Sequence, residues 1–337
     1  MRQDRATVRR MVSVASRSIT VAFITLLVCG AIGQIARDRK VVLAIMMYLP
    51  LTVVGILAAG WDLILCGRAV PKARFALTIA GLLAAIGSGS TMFGRGPESP
   101  SPPGNAVRLM QWNVWWGGRP DRRNDASWRV MIDEVRSQWP DIVVLSEAPT
   151  KERIAEMSAA LGAEWSWVNR RQEEEGGADR IGVLSRWPIE KEKTFDFRNG
   201  GGVVVRVDHP DGPLRILGVD GLSHLLVLRT PLLEDVARVC REYESRGVRL
   251  DVICGDFNAM SRSVGFDEFR TMAGGYRLAS DHSSEWRGTY RAIVPLYDID
   301  HIWVHQAHAG LACELFTNTA SNHRGQVATF SATTHSN

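Results

Sequence analysis

The chain has 337 residues, with 40 Lys and Arg against 36 Asp and Glu and a formal charge of +4. It is long enough for more than one domain, and too mildly basic for its charge to argue for a nucleic-acid partner. The five cysteines (Cys29, Cys66, Cys240, Cys254, Cys313) form no CxxC pair and no dense, even pattern, which excludes a zinc ribbon or a disulfide framework and points to buried free thiols.

Charge is unevenly spread. Residues 1–94 are apolar and poor in acids, whereas the chain from about 105 onward mixes charges, aromatics and glycines as a globular domain does. Three apolar runs stand out: 19–36, 41–61 and 75–93. Each is about the length that a helix needs to cross ~30 Å of hydrocarbon, so three transmembrane helices are expected over residues 1–93. Arg2, Arg5, Arg9, Arg10 and Arg17 precede the first run, and Arg68, Lys72 and Arg74 follow the second. The loop between those runs carries only Arg37, Arg39 and Lys40. The excess predicts a multi-pass protein of the cell membrane with its N-terminus inside and the rest of the chain outside the cytoplasm. "GRGPESPSPPGNA" (94–106) reads as a semi-extended linker that holds a domain over 107–337 off the bilayer.

From residue 107 short apolar strands alternate with helical stretches. "VRLMQWN" (107–113) reads as a strand ending at Asn113. Trp128, Ile132, Val135 and Trp139 recur at helical spacing over 127–139, and Pro140 stops that helix. "DIVVLSE" (141–147) is a buried strand ending at Glu147. Further strands are expected at 181–184, 203–207, 214–219, 250–254, 298–304 and 325–331, with helices at 232–244 and 264–272. Such a mixture favours an α/β sandwich of two sheets flanked by helices.

The polar residues at these strand ends are the functional signal. "VICGDFN" (252–258) places Asp256 and Asn258 two residues apart, on one face of an extended chain, and Gly255 admits a ligand or another backbone. Asn113, Glu147, Asp300 and His323 also lie at or beside strand termini. Carboxylate and amide oxygens suit a hard cation such as Mg²⁺ or Mn²⁺, and with a histidine they supply what phosphoryl chemistry requires. Taken singly, each has a structural alternative as a loop cap, a turn or a strand end.

In order, "MQWNV", "DIVVLSEA", "IGVLSRWPI", "ICGDFNA", "DIDHIWV" and "SNHRGQV" resemble the endonuclease/exonuclease/phosphatase family over about residues 107–332. The resemblance implies a DNase-I-like four-layer α/β sandwich and a metal-dependent phosphoric ester hydrolase. An anchor followed by an outward domain is similar to the branch containing membrane-bound glycopeptide-resistance proteins. Glu147 is then the principal metal ligand, with Asn113 beside metal and phosphate. Asp256 positions or deprotonates the attacking water, Asn258 holds a phosphate oxygen, Asp300 orients the late histidine, and His323 contacts the phosphoryl group or serves as acid/base.

Two departures from the family pattern stand out. Ser-Asn-His (321–323) replaces the usual terminal Ser-Asp-His, so Asn322 keeps an oxygen ligand without the charge. A literal Ser-Asp-His at 280–282 precedes Asp300 and reads as a decoy. In the middle strand Asp220 occupies the place of a family histidine, with His224 a few residues late. Trp115 and Trp116 read as packing, Arg186 as structural, and "RRQEEEGG" (170–177) as a solvated loop. The expected substrate is a phosphate ester or pyrophosphate, with a lipid-linked cell-envelope intermediate as the form a membrane tether favours. An outward-facing nuclease, or a degenerate module that binds a phosphorylated ligand without turnover, are the alternatives.

Overall fold

The structure, a computed structural model, describes residues 2–98, 106–118, 125–171 and 180–333. The chain divides into two units, Met1–Met92 and Phe93–Asn337.

The first unit holds four helices: α1 (Arg2–Ala36), α2 (Val41–Met47), α3 (Leu51–Ile64) and α4 (Ala76–Ser90). The three expected spans are corrected here. Among the described residues, only α1, through Met11–Ala36, is by itself long and apolar enough to cross a membrane. The second run breaks at Tyr48–Pro50 into α2 and α3, bent by 59°. Pro50 has no N–H to continue a helical ladder, which places the break. The third run gives a helix of 15 residues, about 22 Å at 1.5 Å per residue and short of a ~30 Å core. α3 and α4 meet where Gly55 and Gly81 face one another: a Cβ on Gly55 would lie 2.3 Å from Gly81 O.

Among the described residues, the second unit is built from two six-stranded sheets. The first uses β1 (Ala106–Asn113), β2 (Ile142–Ser146), β3 (Ser166–Arg171), β4 (Arg180–Ser185), β11 (Ala309–Phe316) and β12 (Gly325–Ser331), in the order β11-β12-β1-β2-β4-β3. The second uses β5 (Ile189–Phe197), β6 (Gly200–Val207), β7 (Leu214–Gly221), β8 (Val252–Asp256), β9 (Tyr276–Leu278) and β10 (Asp300–His305), in the order β5-β6-β7-β8-β10-β9. Alternate side chains of the sheets interdigitate between them, with Leu109, Val144 and Val183 meeting Val205, Ile216 and Cys254. On the outer face of the first sheet Met110, Trp112 and Leu145 pack on α5 (Asp125–Ser137) and α6 (Lys151–Leu161). On the outer face of the second, Leu217, Val219 and Ile253 pack on α7 (Thr230–Ser245). Helices, sheet, sheet and helix make the four layers expected of the DNase-I-like sandwich.

Some local expectations change. α5 stops at Ser137, and Trp139 turns outward, 80 % exposed with φ 47°. The residue before a proline is driven out of the helical region, which removes Trp139 from the apolar face. Residues 264–270 form a 3₁₀ segment instead of an α-helix. Of the five free cysteines, Cys240, Cys254 and Cys313 are buried, but Cys66 is exposed. Within the expected linker, Arg95 N donates to Asp281 O at 2.6 Å and Glu98 N to Leu311 O at 3.0 Å, so residues 95–98 lie along the second unit. Residues 99–105 of that linker, and 172–177 of the acidic loop, lie outside the described residues.

Candidate active site

Strand direction collects the polar residues at one end of the sandwich. β1 and β2 are parallel with Asn113 opposite Ser146, so the chain leaves both strands on the side of Asn113 and Glu147. In the other sheet β7 is parallel and β10 antiparallel to β8, which sets Asp220 and Asp300 on either side of Asp256. Gly255 has φ 149°, and a Cβ there would lie 1.8 Å from Val219 O. Of the two uses the sequence allows for this glycine, the close approach is to a neighbouring backbone.

Hydrogen bonds then stitch the two sheets together across this end. Asn113 Nδ2 donates to Asp256 Oδ2 at 2.8 Å, while Asn113 Oδ1 accepts from Trp115 N at 2.9 Å. Gln111, on the same face of β1 two residues earlier, donates Nε2–H to Asp300 Oδ1 at 3.3 Å. Ser146 Oγ accepts from Asp256 N at 3.0 Å. His323 Nδ1 lies 2.8 Å from Asp300 Oδ2 and 4.0 Å from Asp256 Oδ2. Ser321 Oγ donates to Asn113 O at 2.7 Å and accepts from His323 N at 3.0 Å, tying the histidine loop to β1. Asn258, at φ 49°, donates its N–H to Asp256 Oδ1 at 2.8 Å and its Nδ2–H to Gly221 O at 2.8 Å. Asparagine tolerates that left-handed backbone better than most residues.

These contacts set the proton affinities. Asp256 is buried, and burial together with the facing Asp300 carboxylate pushes its pKa up to about 8. Burial alone would lower His323, yet the hydrogen-bonded Asp300, then Asp256 and Glu147, raise it to about 9. With Nδ1–H directed at Asp300, the other ring nitrogen, Nε2, is left for a ligand. A buried carboxyl raised to about 8 beside an imidazole raised to about 9 has the proton affinities that a general acid–base pair would need.

Glu147 follows β2 with φ 44°, half-buried, and its charge contributes to the shifts of both Asp256 and His323. Its backbone is held by Asp220, whose Oδ2 accepts from Glu147 N at 3.3 Å and Arg180 N at 3.1 Å. Asp220, in the place of the family histidine, therefore positions the Glu147 turn. His224 is exposed, and its Nδ1 accepts from Leu226 N in a local turn. Asn322 is half-buried beside His323, and its Oδ1 is buried with no hydrogen-bond partner. Away from the cluster, Asp281 of the Ser-Asp-His at 280–282 pairs with Arg287, and His282 lies 3.6 Å from Glu98. Trp116 is covered by the Arg180 guanidinium at 4.9 Å, and Arg186 pairs with Asp141 at 2.7 Å.

Sequence reasoning missed Gln111, Ser146, Ser321 and the positioning role of Asp220. A polar residue in register with Asn113 on a buried strand was the available signal for Gln111; the two serines carried none.

The donor set fits a hard divalent cation. Asp256, Asp300 and His323 each bring a ligand atom within 4.8 Å of the others, and the Glu147 charge acts on Asp256 and His323 from outside that group. An imidazolium clamped by carboxylates is a poor metal ligand, so the carboxylates Asp256 and Asp300, with Glu147 whose charge reaches Asp256, are the residues that would hold the ion.

No curated protein matches the chain. Solved structures share its fold. One is an endonuclease/exonuclease/phosphatase family protein from Bacteroides thetaiotaomicron, at 14% identity and TM-score 0.56, covering 67% of this chain and 98% of that one. A mannosyl-6-phosphatase from the same species follows at 13% identity and TM-score 0.54, covering 66% and 99%. Truncated TDP2 from Caenorhabditis elegans follows at 16% identity and TM-score 0.53, covering 69% and 100%. The profile of the Endonuclease/Exonuclease/phosphatase family matches residues 110–323, spanning every residue of the cluster, and the chain belongs to that family.

Proposed function

We propose that the second unit is a Mg²⁺- or Mn²⁺-dependent phosphohydrolase acting on a phosphate ester or pyrophosphate. The observation that carries this reading is the Asp256–Asp300–His323 cluster, with a carboxyl near neutral pKa, an oriented imidazolium and Glu147 beside both. A bound cation would neutralise phosphate charge and favour ionised Asp256. Asp256, held at Oδ1 by Asn258 N and at Oδ2 by Asn113 Nδ2, takes the proton of the attacking water. His323, its Nδ1 fixed by Asp300, offers Nε2–H to the phosphoryl oxygens or the leaving group. Asn258 and Asn113 orient the carboxylate and the phosphate. Of the solved neighbours, the mannosyl-6-phosphatase is named for action on a phosphate monoester, which agrees with this reading.

We further propose that α1 attaches the chain to a membrane, as in the glycopeptide-resistance branch that the anchor resembles. The basic residues before Met11 would keep the N-terminus inside and the second unit outside. Protease protection in sealed vesicles reads that side.

The activity test uses the full chain in detergent with Mg²⁺, Mn²⁺ or EDTA, offered a chromogenic phosphodiester, a polyprenyl pyrophosphate and plasmid DNA. Metal-dependent phosphate release, lost in Glu147→Ala and His323→Ala, is the expected result. Nicked plasmid alone moves the chain to the nuclease reading. Retained metal binding with no turnover of any substrate leaves a binding module.

A further inference from the structure

We infer that the catalytic end carries a lipid-docking lip of two loops, residues 222–228 and 291–297, which seats the site on a bilayer surface. This rests on the phosphohydrolase reading only for its consequence, since the docking is measurable without turnover. Both loops flank the strand that ends in Asp256: one leaves β7 at Gly221, the other enters β10 at Asp300, and β7 and β10 are the two neighbours of β8. Each loop is pinned to the site at its base. Arg229 donates Nε–H to Asn258 O at 2.7 Å and an η-nitrogen N–H to Val227 O at 2.8 Å. On the other side Ala292 N donates to Asn322 O at 2.8 Å, and the Tyr290 and His323 rings lie 4.9 Å apart.

The tips are a different matter. Leu225 and Leu226 are 70% and 61% exposed, Ile293 and Val294 are 74% and 60%, and Leu222 is 38%. Single exposed aliphatics are ordinary on a protein surface. Among the described residues of the second unit, however, the other large exposed hydrophobics are only Phe93, Val130 and Trp139, so most of this surface is gathered beside one site. Apolar tips gathered on two loops that flank one site mark a contact surface.

The composition identifies the occupant. Neither "LSHLLVL" (222–228) nor "RAIVPLY" (291–297) contains a carboxylate, and exposed Arg291 adds a positive charge. Aliphatic tips with a basic flank suit the boundary of headgroups and acyl chains, into which such groups sink by roughly 5–10 Å. The same chain carries Met11–Ala36, long and apolar enough to cross that bilayer. A site so seated would receive its phosphate at headgroup depth, from a substrate whose apolar tail stays in the membrane.

The test places an environment-sensitive thiol label at Leu225→Cys, at Val294→Cys and, as control, at Ser245→Cys. Ser245 is exposed at the end of α7, on the side where β8 begins. The full chain is reconstituted in phosphatidylglycerol-containing nanodiscs, in a Cys29→Ala, Cys66→Ser background that removes the accessible thiols. The expected result is loss of most emission at 225 and 294 with a lipid-borne quencher, resistance there to aqueous iodide, and the reverse at 245. Equal iodide quenching at all three positions overturns the proposal. So does label-to-label excimer without lipid quenching, which would give the rim to a second copy of the chain. Docking without phosphate release would retire the hydrolase reading alone, and release without docking the lip alone.

Discussion

One short strand of the second sheet is bounded by two buried aspartates with opposite behaviour. Asp251 precedes β8 and Asp256 ends it. Burial raises the proton affinity of both, yet Asp251 is held below the ordinary carboxylate value. His308 Nε2 lies 3.0 Å from its Oδ1, Arg249 Nε donates to it at 2.7 Å, and Arg215 N donates to Oδ2 at 2.8 Å. Asp256 faces another carboxylate, Asp300, and its partners include neutral amides, so it rises to about 8. The difference teaches that burial alone does not mark a functional acid. A carboxylate surrounded by cations holds a fold together; one left beside its own kind is a proton carrier at a cost in stability.

The comparison can be broken from either side. Asp256→Asn should lower the hydrolytic rate by about 10²–10⁴-fold, the usual worth of a general base. Its Tm at neutral pH should hold or rise, because the cost of burying a carboxyl that would ionise in the unfolded chain is removed; initial rates and calorimetry on the same sample decide both. Asp251→Ala should do the opposite, costing about 3–5 kcal/mol in denaturant unfolding, because His308 Nε2, Arg249 Nε and Arg215 N lose their shared buried partner. The rate per folded molecule should stay unchanged, and a loss of rate as large as that of Asp256→Asn would erase the distinction.

Stability against pH sharpens the comparison. Asp256 and His323 bind their protons more tightly in the folded state, so their contribution is complete below the unfolded values of 3.8 and 6.5. It is lost as pH rises towards about 8 and about 9 respectively. Asp251 is shifted downward, so its contribution is complete above 3.8 and is lost as pH falls through its lowered value. Metal-free protein should therefore show a Tm that declines from pH 3.8 upward to about 9, flattened below about 8 in Asp256→Asn and restored by Mg²⁺. Asp220→Asn should have the smallest effect: it keeps one acceptor for the Glu147 turn and loses about 1 kcal/mol. Titration calorimetry should show weaker Mg²⁺ binding with little change in Tm.

The ends of strands were more legible than the strands' neighbours. Asn113, Asp256 and Asp300 announce themselves as polar residues closing apolar runs, and the structure brings them together with His323. β5, "IEKEKTFDF", was not anticipated because it is an edge strand whose mostly exposed charges hide its alternation. α6, β3, β9 and β11 were likewise not expected, being short or amphipathic elements whose pairing is decided by distant partners. Ser146 and Ser321 bind backbone atoms of other strands, a role that depends on sheet packing and not on local pattern. The apolar length of residues 41–61 is visible in the sequence, but the 59° bend around Pro50 depends on one proline within an otherwise continuous apolar run.

The pairing of the first strand with the last has a temporal consequence. β12 lies beside β1, though Gln326 and Gln111 are separated by nearly the whole of the second unit. During synthesis Asn113 and Glu147 emerge long before Asp256, and His323 comes after all of them. A ribosome-bound chain that has not yet released its last strand lacks the histidine and leaves β1 without one neighbour. On the proposed mechanism the site is therefore incomplete until its scaffold is closed, with no separate inhibitor required.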